Sequence, residues 1–180
     1  MRTLFFVVSA AALGAACASS GRSARLAASA GAGETAAATL SDVRGERVGE
    51  VQLRQAPGGV IARVLLAGVP EGEHAFHVHE VGRCEPPFDT AGGHYAPGRQ
   101  AHGIENVRGK HEGDLPNLQV PATRTLDVTF FLDAVSLRGG NPLLDADGST
   151  FVIHEKADDY RTDPAGNAGA RIACGVVERR

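Results

Sequence analysis

The chain has 180 residues, of which 43% are hydrophobic and none is tryptophan. This length is enough for one packed core and short for two, so we expect a single folded domain. The formal net charge of −3 leaves no broad basic surface for a phosphate backbone, which argues against nucleic acid as a partner.

The first segment has the pattern of an export signal. Residues 1–16 combine a basic start at Arg2, an apolar run from Leu4 to Val8 and small residues before Cys17. The run is too short for a membrane span of about 20 residues, so we predict a signal peptide. The sequence GAAC resembles the lipobox of bacterial lipoproteins, although Gly14 stands where leucine or valine is commoner. The resemblance implies lipidation of Cys17; the alternative is ordinary cleavage near the same small residues.

Residues 17–39 are nearly all Ala, Gly and Ser with scattered charges. Such a composition offers little apolar surface to offset the entropy of ordering, so we predict a tether. The folded domain is then expected to span residues 40–180. An exported chain anchored to a membrane through Cys17 is predicted to reside in the periplasm or cell envelope, and Ala18 resembles the outer-membrane default in Gram-negative cells.

After Leu40 the sequence consists of short β-like runs separated by turns. The runs are GEVQLRQ, VIARVLLAGV, HAFHVHE, TLDVTFFLDAVSL, STFVIHE and ARIACGVV. Turn residues such as PGG, PEG and DADG separate several of them, so we predict an all-β domain of antiparallel strands. Between His79 and Leu118 a Gly- and Pro-rich stretch shows neither strand nor helix. A compact domain seldom carries such a loop unless something fixes it, so we expect the chemistry there.

The run HAFHVHE holds three of the seven histidines within seven residues. Side chains at i and i+2 share a strand face, so His77 and His79 point the same way. Taken alone, such a pair is more often incidental than a metal site. The later chain adds further donors: His94, His102, His111, Asp114 and His154. Together these imidazoles and one carboxylate suit copper or zinc and would hold the loop rigid, but spacing does not fix the number of ions.

Cysteine counting predicts one disulfide. If Cys17 carries lipid, Cys84 and Cys174 remain in a chain bound for an oxidising compartment. The alternative is a pair of reduced cysteines in the core. A bridge would close a loop of about 90 residues and stabilise the fold by a few kcal/mol.

The motifs HAFHVHEVG, AGGHY, HG, KHEGDL, VIHEKADD and GNAGARIACGV follow one another in that order. From Val48 to Val177 they resemble the motifs of copper/zinc superoxide dismutases, and the segment from Cys84 to His94 resembles the bacterial periplasmic branch. The resemblance implies dismutation of superoxide to oxygen and hydrogen peroxide by a redox-cycling copper with a structural zinc, one of each per subunit. It also implies an eight-stranded antiparallel Greek-key barrel or sandwich, immunoglobulin-like, with long metal-binding loops.

The resemblance implies a role for each motif residue. The implied copper ligands are His77, His79, His94 and His154. The implied zinc ligands are His94, His102, His111 and Asp114. His94 would bridge the two metals, Asp158 would link His77 to His102, and Arg171 would receive superoxide beside the copper. Cys84 and Cys174 match the family's disulfide, and His74 matches a structural histidine.

Two alternatives stay open in the sequence. The family dimerises through different surfaces in different branches, so a homodimer is compatible with the chain but the sequence does not show the oligomeric state. A non-catalytic copper- or zinc-binding or metal-delivery protein on the same barrel is the second reading of the function. A copper-only dismutase conflicts with the presence of His102, His111 and Asp114.

Overall fold

A computed structural model describes residues 33–180. The predicted signal peptide (1–16), Cys17 and the predicted tether as far as residue 32 lie outside the described residues. Within residues 33–180, no helix has both the length and the apolar character needed to cross a membrane.

Strands account for most of the regular structure of the described residues. In chain order they are β1 (Thr35–Asp42), β2 (Arg47–Ala56), β3 (Gly59–Ala67), β4 (Gly72–His74), β5 (Phe76–His79), β6 (Leu118–Val120), β7 (Thr125–Asp133), β8 (Thr150–His154), β9 (Arg171–Val176) and β10 (Glu178–Arg179). A 3-10 turn at Asp89–Ala91 lies between β5 and β6. The predicted all-β fold class is confirmed.

The strands form one large antiparallel sheet and one small one. The large sheet has the order β5-β8-β9-β1-β2-β3-β7, with β10 also paired to β1, and β4 pairs with β6. Because β8 and β9 lie between β5 and β1, sheet neighbours are not chain neighbours, which is the mark of Greek-key connections. The sheet curls into a half-barrel around the core, in agreement with the predicted architecture.

Alternation along the strands separates the core from the site. In β3 the side chains of Val60, Ala62 and Val64 are fully buried, while Arg63 faces solvent. All four residues of β5 are buried, because the strand is covered on both faces. One face of β5 points into the apolar core, where the ring of Phe76 stacks on that of Phe151 at 5.3 Å. The other face carries the two histidines of HVH.

The folded domain begins earlier than the predicted boundary at Leu40. Strand β1 starts at Thr35, inside the predicted tether of residues 17–39, and pairs with β2 along its length. Ala36, Ala37 and Ala38 are buried within it. Alanine is small enough to pack closely inside a sheet, and it is also common in tethers. Composition alone therefore does not distinguish an Ala-rich strand from an Ala-rich tether. The predicted boundary was wrong for this reason.

The long loop between β5 and β6 is held in place at several points, as we expected for an irregular loop of this length. It is laid along β5 by isolated bridges that join His79 to His94 and His77 to Asp114. A disulfide joins Cys84 to Cys174 of β9, with 5.7 Å between the two Cα atoms. The predicted disulfide is confirmed, and it connects the start of the loop to a central strand.

Replacing both Cys84 and Cys174 by serine is expected to lower the free energy of unfolding by about 4 kcal/mol, because the unfolded chain regains the entropy of an open loop that spans 90 residues. Urea unfolding of the metal-free protein measures this loss. Wild-type protein reduced by a phosphine should unfold at the same urea concentration as the double variant. A double variant as stable as the oxidised wild type would contradict the expectation.

Candidate metal centre

Four imidazoles converge where β5, β8 and the long loop meet. Each offers one nitrogen, and these nitrogens lie within 4.8 Å of one another; the four residues are His77, His79, His94 and His154. The antiparallel pairing of β5 with β8 brings together the three strand histidines. The bridge between His79 and His94 adds the histidine from the loop. We call this set the four-histidine group.

A second set lies beside it and contains a carboxylate. Its members, whose donor atoms also lie within 4.8 Å of one another, are His94, His102, His111 and Asp114. We call it the three-histidine–aspartate group. Asp114 Oδ1 lies 2.8 Å from His94 Nδ1, 3.1 Å from His102 Nδ1 and 3.3 Å from His111 Nδ1. Its other oxygen accepts the backbone N–H groups of Gly103 and His111. A single carboxylate thus gathers this whole part of the loop.

His94 belongs to both groups. Its Nδ1 contacts the carboxylate of Asp114, whereas its Nε2 is buried and has no hydrogen-bond partner among the described residues. The ring lies close to that of His77, with 4.0 Å between the ring centroids. One imidazole therefore has one nitrogen in the second group and the other free for the first.

Asp158 connects the two groups from behind. Its carboxylate oxygens accept hydrogen bonds from His77 Nε2 at 2.9 Å and from His102 Nε2 at 3.0 Å. Because each ring donates through Nε2, its Nδ1 is turned towards the donor atoms of its own group. The Nδ1 atom of His77 is buried and has no partner among the described residues. An acceptor behind a histidine fixes its tautomer and orientation in this way.

Backbone carbonyls orient the other two histidines of the four-histidine group. His79 Nδ1 donates to Gly92 O at 3.0 Å, and His154 Nδ1 lies 3.5 Å from Gly169 O. The Nε2 atoms of these two rings are consequently left facing each other at 3.4 Å. Two acceptor nitrogens at this separation repel each other unless a proton or a cation lies between them.

Burial keeps the rings of the four-histidine group neutral. It lowers the pKa of His94 to about 4 and that of His154 to about 3, and it also lowers the pKa of His77 and His79. A neutral imidazole retains the lone pair that a metal ligand needs. Burial alone would raise the pKa of Asp114, but hydrogen bonds from the surrounding histidines outweigh it and lower that pKa far below its usual value.

His102 differs from the other histidines because it faces two carboxylates. Burial lowers its pKa, but the hydrogen bonds to Asp114 and Asp158 outweigh burial and raise the pKa to about 9. The ring therefore holds a proton at neutral pH until a cation displaces the proton from Nδ1. Metal binding at the second group is accordingly coupled to proton release.

The donor sets fit copper and zinc. Imidazole nitrogen is a ligand for both metals, and three nitrogens with one carboxylate oxygen form a common zinc environment. The buried, unpartnered atoms His77 Nδ1 and His94 Nε2 would each carry an unfavourable desolvation cost without such a cation. Both groups are therefore suited to bind a metal ion, by the chemistry of their donor atoms and by their burial.

Arg171 lies beside the four-histidine group. It pairs with His154 across β8 and β9, and its guanidinium donates to Phe88 O and Gly92 O, each at 2.7 Å. Gly92 O is also the acceptor of His79. The cation is thus held by the same turn that orients one of the four histidines. The disulfide ties the start of this loop to β9. It therefore helps to keep the carbonyl groups of Phe88 and Gly92 next to Arg171, which lies on β9.

His74 lies outside both groups. Its Nδ1 is 2.8 Å from His154 O and its Nε2 is 3.1 Å from Pro70 O. The ring links the segment before β4 to the end of β8. Of the three histidines in the run HAFHVHE, two therefore belong to the four-histidine group, and His74 has a structural contact instead.

Sequence reasoning missed several residues that hold Asp158 and His102. Asn117 binds the backbone of Asp158 with both ends of its amide, at 2.9 and 3.0 Å. Asp163 accepts the backbone N–H of His102 at 2.7 Å. Gly166 has a φ of +61°, and a Cβ there would collide with Asp158 Oδ1. Of these three residues, only Gly166 belongs to a recognisable sequence motif, as the first residue of GNAG.

A Greek-key half-barrel with two donor groups that share one imidazole defines a β-sheet metalloprotein with a paired metal centre. The family model for copper/zinc superoxide dismutase matches residues 47–177. The copper-zinc superoxide dismutase 1 of Aquifex aeolicus is 41% identical over 78% of this chain and 86% of its own length. An extracellular copper-zinc superoxide dismutase of Drosophila melanogaster is 40% identical over 66% of this chain and 67% of its own.

Solved structures agree with this match. The crystal structure of a SOD-like protein from Bacillus subtilis superimposes with a TM-score of 0.75 at 40% identity, covering 78% of this chain and 96% of that one. The chain belongs to the copper/zinc superoxide dismutase family. It is a superoxide dismutase, with copper and zinc as its metals.

Gly166→Ala is expected to weaken zinc binding by about 10- to 100-fold, the usual effect of disturbing a group that orients a ligand, because the added methyl displaces Asp158 from His102. Competition between the metal-stripped protein and a chromophoric chelator measures the affinity. Gly140→Ala is the matched control, since nothing lies within 4 Å of a Cβ at that position. Equal zinc affinity in the two variants would contradict the role of Asp158.

Proposed function

We propose that the two groups divide the metals between them. The four-histidine group, His77, His79, His94 and His154, holds copper. The three-histidine–aspartate group, His94, His102, His111 and Asp114, holds zinc. The observation that carries this proposal is the single imidazole with its Nδ1 against Asp114 and its buried Nε2 without a partner, since such a ring suits a bridge between two cations. The all-nitrogen set suits copper, and the set with a carboxylate suits zinc.

Arg171 is proposed to receive superoxide. A guanidinium is a permanent cation that can donate several hydrogen bonds to a small anion, and two carbonyl groups hold this one in place. It is half-buried, so part of it stays open to the solvent from which the anion comes. Its pairing with His154 sets the bound anion beside the proposed copper ligands.

His94 is proposed to handle the proton of the reaction. When bound, copper supplies the one-electron redox chemistry of dismutation, and zinc, which has no redox chemistry of its own, supplies a fixed positive charge. His94 Nε2 is the atom of the shared ring on the side of the four-histidine group. This nitrogen has one lone pair, so it would hold a proton only while it does not hold the cation. A proton taken up there would be passed to the anion bound by Arg171 when the nitrogen takes the cation again, while Asp114 keeps the ring in its orientation.

The second candidate is a non-catalytic protein that binds or delivers copper and zinc with the same donors. The observation that favours it is the Bacillus subtilis relative, whose name calls it superoxide dismutase-like and not a superoxide dismutase. The complete donor sets and the fixed Arg171 support catalysis instead. The two functions make different predictions for the metal-loaded protein.

We further propose that the enzyme is exported and works in the cell envelope. The sequence of residues 1–16 and the extracellular relative in Drosophila melanogaster support export. Lipidation of Cys17 would anchor the domain to a membrane facing the periplasm, with the outer membrane favoured. Homodimerisation stays a prediction from the family resemblance alone.

The purified protein, stripped and reloaded with copper and zinc, is expected to dismutate superoxide in step with its copper content. His79→Ala should lose copper and activity together, because its Nε2 is a donor of the four-histidine group, while the β-sheet circular dichroism stays unchanged. Pulse radiolysis and metal analysis measure the two quantities. A wild type that carries both metals without turnover would overturn catalysis in favour of metal handling. Full turnover in copper-loaded His79→Ala would overturn the ligand assignment.

The lipid anchor is tested in a Gram-negative host. Wild-type protein is expected in the membrane fraction and Cys17→Ser in the soluble periplasmic fraction, since acylation of that cysteine supplies the membrane affinity. Labelling with radioactive palmitate checks the modification directly, and Ser20→Ala is the matched control. Unlabelled wild-type protein in the soluble fraction would contradict the anchor and leave ordinary signal cleavage.

A further inference from the structure

One short turn of the long loop supplies both carbonyl groups that hold Arg171. The guanidinium donates to Phe88 O and Gly92 O, and the residues between them form the 3-10 turn Asp89–Ala91. Asp89 is exposed, and its carboxylate has neither a hydrogen bond nor a salt bridge within residues 33–180. A negative charge without a hydrogen-bonded partner thus stands in the turn that binds the proposed substrate-binding cation.

We propose that Asp89 lowers the rate of reaction with anionic substrate, because its carboxylate repels superoxide as the anion approaches Arg171. The proposal rests on the function proposed above and names a further residue of the same site. It concerns the charge near the guanidinium and leaves the metal ligands untouched.

The position of Asp89 follows from the hydrogen bonds of Arg171. By standard peptide geometry the Cα of Asp89 lies about 3 Å from Phe88 O, and that oxygen is 2.7 Å from Arg171 Nη1. The backbone of the turn is closed by Gly92 N, which donates to Asp89 O at 3.1 Å. Asp89 is therefore fixed next to the cation by its backbone, even though its side chain is free.

The charge balance at Arg171 points the same way. Burial lowers the pKa of the Arg171 guanidinium, and the negative charge of Asp89 is the opposing influence. A carboxylate that stabilises the cation necessarily repels an anion approaching it. Because Asp89 is exposed, water and salt weaken this repulsion, so we expect a modest effect that disappears at high ionic strength.

Glu85 provides a matched control in the same loop. It is also exposed, with 68% of its side chain accessible, and its carboxylate lies 3.9 Å from Arg83 Nε. Neutralising Glu85 changes the net charge of the protein by the same amount as neutralising Asp89. The turn that holds Arg171 does not include it.

The test uses the copper- and zinc-loaded enzyme and pulse radiolysis at low and high ionic strength. Asp89→Asn is expected to raise the second-order rate constant about twofold in about 0.01 M salt, where screening is weak, and to match the wild type in about 0.5 M salt. Glu85→Gln should show less than half of that increase. An unchanged Asp89→Asn rate at low salt, or an equal increase in Glu85→Gln, would overturn the proposal.

Azide supplies a readout that does not depend on turnover. Its dissociation constant, followed by the visible absorption of the copper-loaded protein, is expected to fall about twofold in Asp89→Asn at low salt, by the same reduction of repulsion. Unchanged azide affinity in Asp89→Asn would overturn the proposal as well. A wild type without turnover would instead refute the proposed function, so the two failures are distinguishable.

Discussion

The carboxylate of Asp158 is the constraint on which the paired centre depends. Each of its oxygens accepts a hydrogen bond from a different group, His77 on one side and His102 on the other. These bonds decide which nitrogen of each ring faces its group, because a ring that donates through Nε2 presents Nδ1. Without this carboxylate both Nε2 atoms would lose their acceptor, and the tautomer and orientation of the two rings would be less firmly fixed.

The loop that carries most of the donors has almost no secondary structure of its own. Its order comes from a few strong tethers: the disulfide at Cys84, the carboxylate of Asp114 and the strand-like bridges to β5. Each tether fixes a different part of the loop. Backbone groups that would otherwise be unsatisfied in an irregular buried segment are paired with these side chains and with β5.

The same loop also connects metal binding to substrate binding. The carbonyl of Gly92 accepts hydrogen bonds from His79 and from Arg171. A displacement of this turn would move a proposed copper ligand and the proposed substrate-binding cation together. The disulfide joins the loop to β9, the strand of Arg171, so the cation and its acceptors belong to one covalently closed unit. Charges on the turn, such as that of Asp89, act directly on this shared contact.

The all-β class and the disulfide pair were predictable from the amino-acid sequence, because strand alternation and cysteine number are local or countable properties. The residues proposed as metal ligands were recognised through the resemblance of the ordered histidine motifs to those of a known family. The predicted boundary at Leu40 assigned the first residues of β1 to the tether, because an Ala-rich segment can be either a tether or a tightly packed strand. The folded structure was needed to show which nitrogen of His94 faces which group. It was also needed to show that Asn117, Asp163 and Gly166 support the centre. Those contacts join residues distant in the chain, and ring orientation depends on hydrogen-bond partners that no local pattern specifies.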